Sequence, residues 1–153
     1  MYKLHRPVLL VIICLFLACD HPLISPVPSA PVYLEIHLDY TDSDLIPALA
    51  AKSFTKPRLA TERLGFGGVL VVNGYGSNGA SCLFAYDLAC PNEVNKNVII
   101  IPDDEGKARC PRCGSVYITM WGMGIPETPS VSKYPLRSYR VNSLEYNKFV
   151  VVN

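Results

Sequence analysis

Apolar and polar residues alternate along residues 32–38: Val32, Leu34, Ile36 and Leu38 are apolar, with Tyr33, Glu35 and His37 between them. A period of two is that of a half-buried strand. Short apolar runs recur at Val69–Val72, Leu83–Leu88, Val98–Ile101, Val116–Thr119, Leu136–Val141 and Phe149–Val152. In the second half they fall about ten residues apart, which predicts an all-β sandwich or small barrel. The intervals read as connections. Tyr40–Ile46 is an acidic turn beside Asp39, Pro47–Lys52 has room for one helical turn at most, and Ser53–Leu64 is polar and irregular around Pro57. Gly65–Gly68 predicts a strand start or bulge, and Gly74–Gly79 a loop, as does Gly122–Gly124 with Pro126. There is no internal repeat and no long helical pattern.

Composition supports this picture. A chain of 153 residues, half hydrophobic and 18% charged, has the size and balance of one globular domain. Thirteen prolines and nine tyrosines favour strands and turns over long helices. A net charge of +1 lacks the basic excess of a nucleic-acid binder.

The N-terminus stands apart. Lys3 and Arg6 precede the apolar run Val8–Ala18, which falls short of the roughly 20 residues of a membrane span and suits a secretory signal. The run ends in Phe16-Leu17-Ala18-Cys19, which resembles the bacterial lipobox. The resemblance implies cleavage before Cys19 and lipid on its thiol, and so a cell-envelope protein held on a bacterial membrane without a spanning helix. Residues 1–18 are then the signal, 19–31 a proline-rich tether and 32–153 the domain. Removing Lys3 and Arg6 with the signal turns the net charge to −1.

Four cysteines remain in the domain: Cys82, Cys90, Cys110 and Cys113. Two groups stand out, Cys90-Pro91-Asn92 and Cys110-Pro111-Arg112-Cys113-Gly114-Ser115. Each follows a predicted strand, and each proline stiffens the backbone beside a sulfur. Three thiols can thus converge from two loops. Cys82 is a poor fourth member: along an extended strand it would lie about 25 Å from Cys90. It is expected to be a small buried hydrophobe.

At these loops the second half, from Gly67 to Asn153, resembles a Rieske domain. Ala85–Pro91 is similar to the strand entering that family's first ligand loop. Cys110–Tyr117 is similar to the second, and Gly122, Pro126, Pro135-Leu136 and Tyr139 follow in the family's order. The resemblance implies a small Rieske-like antiparallel β-sandwich or barrel carrying a 2Fe–2S cluster, two cysteines on one iron and two histidines on the other. This chain departs from that pattern. Asn92 and Cys113 stand at the histidine positions, and no histidine follows His37. The expected metal ligands are Cys90, Cys110 and Cys113, with Asn92, water or a partner in the fourth place.

Three readings stay open at this point. The first is a variant 2Fe–2S electron-transfer site of low potential, served by a redox protein partner. The second is a zinc site of three thiolates and one further ligand. The third is a metal-free scaffold with a disulfide. A bond from Cys90 to Cys113 or Cys110 closes about 20 residues and stabilises by about 3 kcal/mol, more than a Cys110–Cys113 bond would. Thiol exchange at Cys110–Cys113, with Arg112 lowering a thiol pKa, is disfavoured because a strand rather than a helix follows. No catalytic residues are expected, since the domain lacks the histidines of hydrolytic triads. Asp103-Asp104-Glu105 reads as a solvated turn, and Trp121 with Met120 and Met123 as a cap over the core.

Overall fold

The computed structural model describes residues 23–153, so the signal-like segment and Cys19 lie outside the described residues. The described chain is all-β, with two antiparallel sheets. The larger contains β1 (Val32–His37), β2 (Ala51–Phe54), β3 (Arg63–Leu64), β4 (Val69–Tyr75), β5 (Ser81–Asp87), β10 (Ser138–Glu145) and β11 (Lys148–Val152), in the order β2-β4-β5-β10-β11-β1-β3. The smaller contains β6 (Ile101–Pro102), β7 (Lys107–Arg109), β8 (Val116–Ile118) and β9 (Ile125–Pro126), in chain order. One 3-10 turn, Ser43–Leu45, follows β1.

The large sheet curls around one apolar core. Leu34 and Ile36 of β1, Phe54 of β2, Val69 and Val71 of β4, Leu83 and Ala85 of β5, Tyr139 of β10 and Val151 of β11 meet there. Side chains alternate across a strand, so Leu70 and Val72 of β4 face the other way. With Tyr86 and Leu88 they pack on Ala108, Cys110 and Tyr117 of the smaller sheet. Being covered on both faces, β4 needs the unbroken apolar run that its sequence shows.

Several connections differ from the sequence expectations. Ala51–Phe54 is a strand and not a helical turn. It pairs with β4 from Ala51↔Val72 to Phe54↔Val69, so partner pairing overrides a weak local propensity. The Gly74–Gly79 loop is shorter, since β4 runs on to Tyr75. Ile125–Pro126 forms a short edge strand against Tyr117 and Ile118. Val98 and Ile99 lie outside any ladder except for one bridge, Ala89↔Ile99. The last part of the predicted tether packs on the domain: Val27 is fully buried, and its carbonyl accepts a hydrogen bond from Arg137 Nε at 2.7 Å. Trp121 is half exposed rather than a lid, its ring 5.5 Å from that of Tyr75. Asp103 does close a solvated turn, accepting the Glu105 and Lys107 N–H groups. No helix among the described residues is long and apolar enough to cross a membrane.

Candidate metal centre

Both cysteine loops are tight turns that close on their own cysteine. After β5 the chain reaches Cys90, whose N–H donates to the Val98 carbonyl at 3.1 Å. The Cys90 carbonyl then accepts from Glu93 N and Val94 N at 3.1 and 2.9 Å. After β7, Cys110 donates its N–H to the Ser115 carbonyl at 2.9 Å and accepts from Gly114 N at 3.0 Å. Gly114 turns the chain at φ +74°, a conformation that glycine adopts at little cost. An ion pair at 3.1 Å, Arg112 to Glu93, ties the second loop to the first. That engagement draws the Arg112 charge to the exposed side of the loops.

The carboxylate of Asp87 fixes the approach to Cys90. It is fully buried. It accepts the N–H of Phe66 at 2.8 Å, of Gly67 at 3.0 Å and of Ala89 at 2.7 Å, and the Tyr139 hydroxyl at 2.6 Å. A buried carboxylate costs several kcal/mol unless its oxygens are satisfied, and here four donors satisfy them. A Cβ on Gly67 would meet Ala89 N at 2.7 Å, so only glycine lets the two backbones approach this closely.

The two loops bring the sulfurs of Cys90, Cys110 and Cys113 within 4.8 Å of one another. Cys90 and Cys113 lie 3.7 Å apart. Cys90 and Cys110 are buried and Cys113 half-buried, and all three are free thiols. The Tyr117 hydroxyl lies 3.3 Å from Cys90 Sγ, and the Ser115 hydroxyl 3.2 Å from Cys113 Sγ. Ser115 Oγ accepts both the Cys113 thiol and the Ser132 N–H, the latter at 2.9 Å, which holds the hydroxyl beside the sulfur. Burial pushes the Cys90 thiol up to about 12, although Tyr117 and the Asn92 and Glu93 N–H groups pull the other way. For Cys113, burial is outweighed by the Ser115 hydroxyl and N–H, and its pKa falls below the usual thiol value. Burial, with the bond to Cys90 adding to it, raises the Tyr117 phenol far above its usual value, so that it remains a donor.

The remaining sequence candidates are placed as follows. The Asn92 side chain is exposed and donates to Glu93 Oε1 at 3.3 Å. Its main-chain N–H, by contrast, turns to Cys90. Cys82 stands outside the sulfur cluster, as its place on β5 predicts, yet it is exposed and not buried. Its neighbour Leu83 takes the inward position on β5, so alternation sends Cys82 outward. Sequence reasoning had no role for Tyr117, Ser115 or Asp87. For Ser115 alone a signal exists, its place two residues after Cys113. Nothing local marks Asp87, whose donors lie up to 52 residues away.

A tetrahedron with metal–sulfur bonds of about 2.3 Å has a sulfur–sulfur edge of about 3.8 Å, close to the Cys90–Cys113 separation. Two of the three soft donors thus stand at the spacing of one tetrahedral ion, with the third within 4.8 Å of both. A two-iron cluster has four terminal positions, and the three described thiols would fill three of them.

The fold and this centre together define the class: an all-β protein with a cysteine site built from two loops. No protein-family model matches the chain, and no curated protein does. Two solved structures resemble it in shape. One is the ferredoxin of carbazole 1,9a-dioxygenase from Nocardioides aromaticivorans IC177, at 16% identity and TM-score 0.44, covering 78% of this chain and 96% of that one. The other is a protein assigned as an NADH-dependent nitrite reductase small subunit from Mycobacterium tuberculosis, at 12% identity and TM-score 0.41, covering 81% and 96%.

Proposed function

We propose that the chain is a Rieske-like metal-binding lipoprotein of the bacterial cell envelope, with a cysteine-only centre at Cys90, Cys110 and Cys113. The observation that carries this reading is the convergence of three sulfurs within 4.8 Å from two separate loops. Three thiolates so close repel one another unless a cation or a covalent bond relieves the charge. The donors from Tyr117 and Ser115 favour the anionic form of the sulfurs they face. With iron, the centre works as an electron-transfer module. The order of the loop motifs supports that use, with Cys90 and Cys110 at the cysteine positions of the resembled family. A variant 2Fe–2S cluster would then put Cys113 on the second iron, and Asn92, water or a redox partner would fill the remaining position. The sulfur spacing supports the simpler alternative of one tetrahedral ion such as Zn²⁺. If the site holds iron, it carries electrons and makes no bonds itself.

A metal-free reading has one specific observation in its favour. Cys90 and Cys113 sulfurs at 3.7 Å need only a small approach to form the cross-loop disulfide. The deciding experiment is metal analysis with the ultraviolet–visible spectrum of anaerobically purified protein, followed by thiol counting by mass spectrometry. Iron and acid-labile sulfide with visible absorption establish the electron carrier. Stoichiometric zinc without colour establishes the single-ion centre. A metal-free sample with one cross-loop disulfide replaces both, and three free loop thiols without metal overturn the proposal.

A further inference from the structure

At the end of the barrel marked by Asn73 and Leu38, the large sheet is open between β5 and β10. β5 pairs with β4 along its whole length, from Val69↔Asp87 to Tyr75↔Ser81. Among the described residues its other edge pairs with β10 at two positions alone, Ser138↔Tyr86 and Tyr139↔Ala85. The hydrogen-bond alternation of an antiparallel ladder shows which groups this leaves over. Gly76 N donates to the Ala80 carbonyl, while Asn73 exchanges bonds with Leu49 and Ala50 on its far side. Cys82 and Phe84 therefore bond to β4, and Ser81 and Leu83 turn their N–H and C=O groups into the opening.

A cavity of about 550 Å³ lies in that opening. Leu38, Ile46, Leu83, Val141 and Phe149 line it, and none of its lining side chains is charged. Leu38, Val141 and Phe149 also pack on the barrel core, so the cavity is the mouth of that core. Two independent features thus meet. The lining, part apolar and part uncharged polar, suits uncharged side chains, and the free ladder edge suits a partner with a regular row of N–H and C=O groups. Only a polypeptide in extended form supplies both, because its alternate side chains enter the mouth while its main chain extends the sheet. An apolar small molecule would fill the cavity and leave the Leu83 N–H unpaired, the carbonyl having only the Cys82 thiol at 3.8 Å, which is costly once they are shut off from water.

We propose that the opening between β5 and β10 is a strand-addition site for an extended, uncharged segment of another polypeptide, with apolar residues at alternate positions. The site is separate from the cysteine centre and does not depend on what that centre binds.

The test follows amide hydrogen exchange of Leu83 by NMR in the full-length protein. The probe is the peptide acetyl-Ser-Val-Thr-Val-Ser-amide, beside a copy methylated on the backbone nitrogens of its two valines. The unmethylated peptide is expected to slow Leu83 exchange by at least about tenfold, the worth of one hydrogen bond, and the methylated copy is expected to fail. Ser143→Arg, which places a charge in the mouth, should abolish the effect, whereas Asn142→Arg, one position along β10 and off the cavity, should keep it. No protection by either peptide at millimolar concentration overturns the proposal. So does equal binding of both peptides, which would reduce the site to an apolar pocket. Protection that grows with protein concentration alone also overturns it, because the occupant is then a second copy of this chain.

Discussion

Cys90 and Cys113 lie 3.7 Å apart, yet their thiols ionise in opposite directions from the usual value. Burial dominates at Cys90, raising it to about 12. At Cys113 burial is overcome by the hydroxyl and N–H of Ser115, and the thiol is acidified. The thiolate is the form that attacks an alkylating reagent. In reduced, metal-stripped protein at pH 8, iodoacetamide should therefore modify Cys113 at least about tenfold faster than Cys90. Peptide mass mapping over a time course reads this directly, and Ser115→Ala should narrow the gap. Equal rates would contradict the asymmetry. Sequence reasoning reached the three cysteines because their chemistry is written in their residue type and spacing. It did not reach this asymmetry, which depends on the burial of Cys90 in the folded domain and on the turn that sets Ser115 beside Cys113.

The polar connections between elements are held by charge. Asp42, fully buried beyond the end of β1, accepts the His37 N–H at 3.0 Å and pairs with Lys52 of β2 at 3.0 Å and with Arg58 at 2.8 Å. Arg58 also pairs with Glu62 at 3.1 Å and lies 4.8 Å from the centre of the Phe54 ring. The segment 55–62, which the sequence marks only as irregular, is thereby strapped across β1 and β2. Burial alone would raise the Asp42 carboxyl, but the His37 N–H, Lys52 and Arg58 together hold it below its usual value. A depressed carboxylate stabilises the fold above its unfolded pKa, about 3.9, and that contribution fades as pH falls through the folded value. Asp42→Asn should cost about 2–3 kcal/mol at pH 7, since Lys52 and Arg58 lose their buried partner and keep only Asp44 and Glu62. The difference from the natural chain should shrink steadily below about pH 4. Urea unfolding at pH 7, 5 and 3 measures this, and a difference independent of pH would refute the ion-pair role.

The whole molecule ties its N-terminal segment to the domain before that segment reaches the proposed anchor. Val27 is buried and bonded to Arg137, and Asn153 Nδ2 donates to the Ala30 carbonyl at 2.9 Å. From Cys19 to Val27 the chain can span at most about 30 Å, so a lipid on Cys19 would keep the domain close to the membrane. The Arg137 carbonyl also accepts the Asp87 N–H at 2.8 Å, and the chain runs on from Asp87, the last residue of β5, to Cys90. The seat of the tether and the cysteine loops therefore share one end of the large sheet, opposite the open mouth between β5 and β10. Cys19→Ser is expected to release the protein from the membrane fraction or to block its processing. Fractionation with intact-mass measurement checks it, and unchanged retention with unchanged mature mass would remove the lipoprotein reading.

The all-β class, β1, β8, β11 and the convergence of Cys90, Cys110 and Cys113 were legible in the sequence by itself. Each is carried by a local signal: a period of two, a β-branched run, or a ligand residue type beside a turn-forming Pro or Gly. Tertiary structure alone decided that Ala51–Phe54 is a strand, that Cys82 is exposed, that Val27 is core, and that Asp87 and Tyr117 stand behind the cysteine loops. The physical reason is common to all of these. Strand pairing and the satisfaction of buried polar groups join residues far apart in the chain, and no short window of sequence contains both partners.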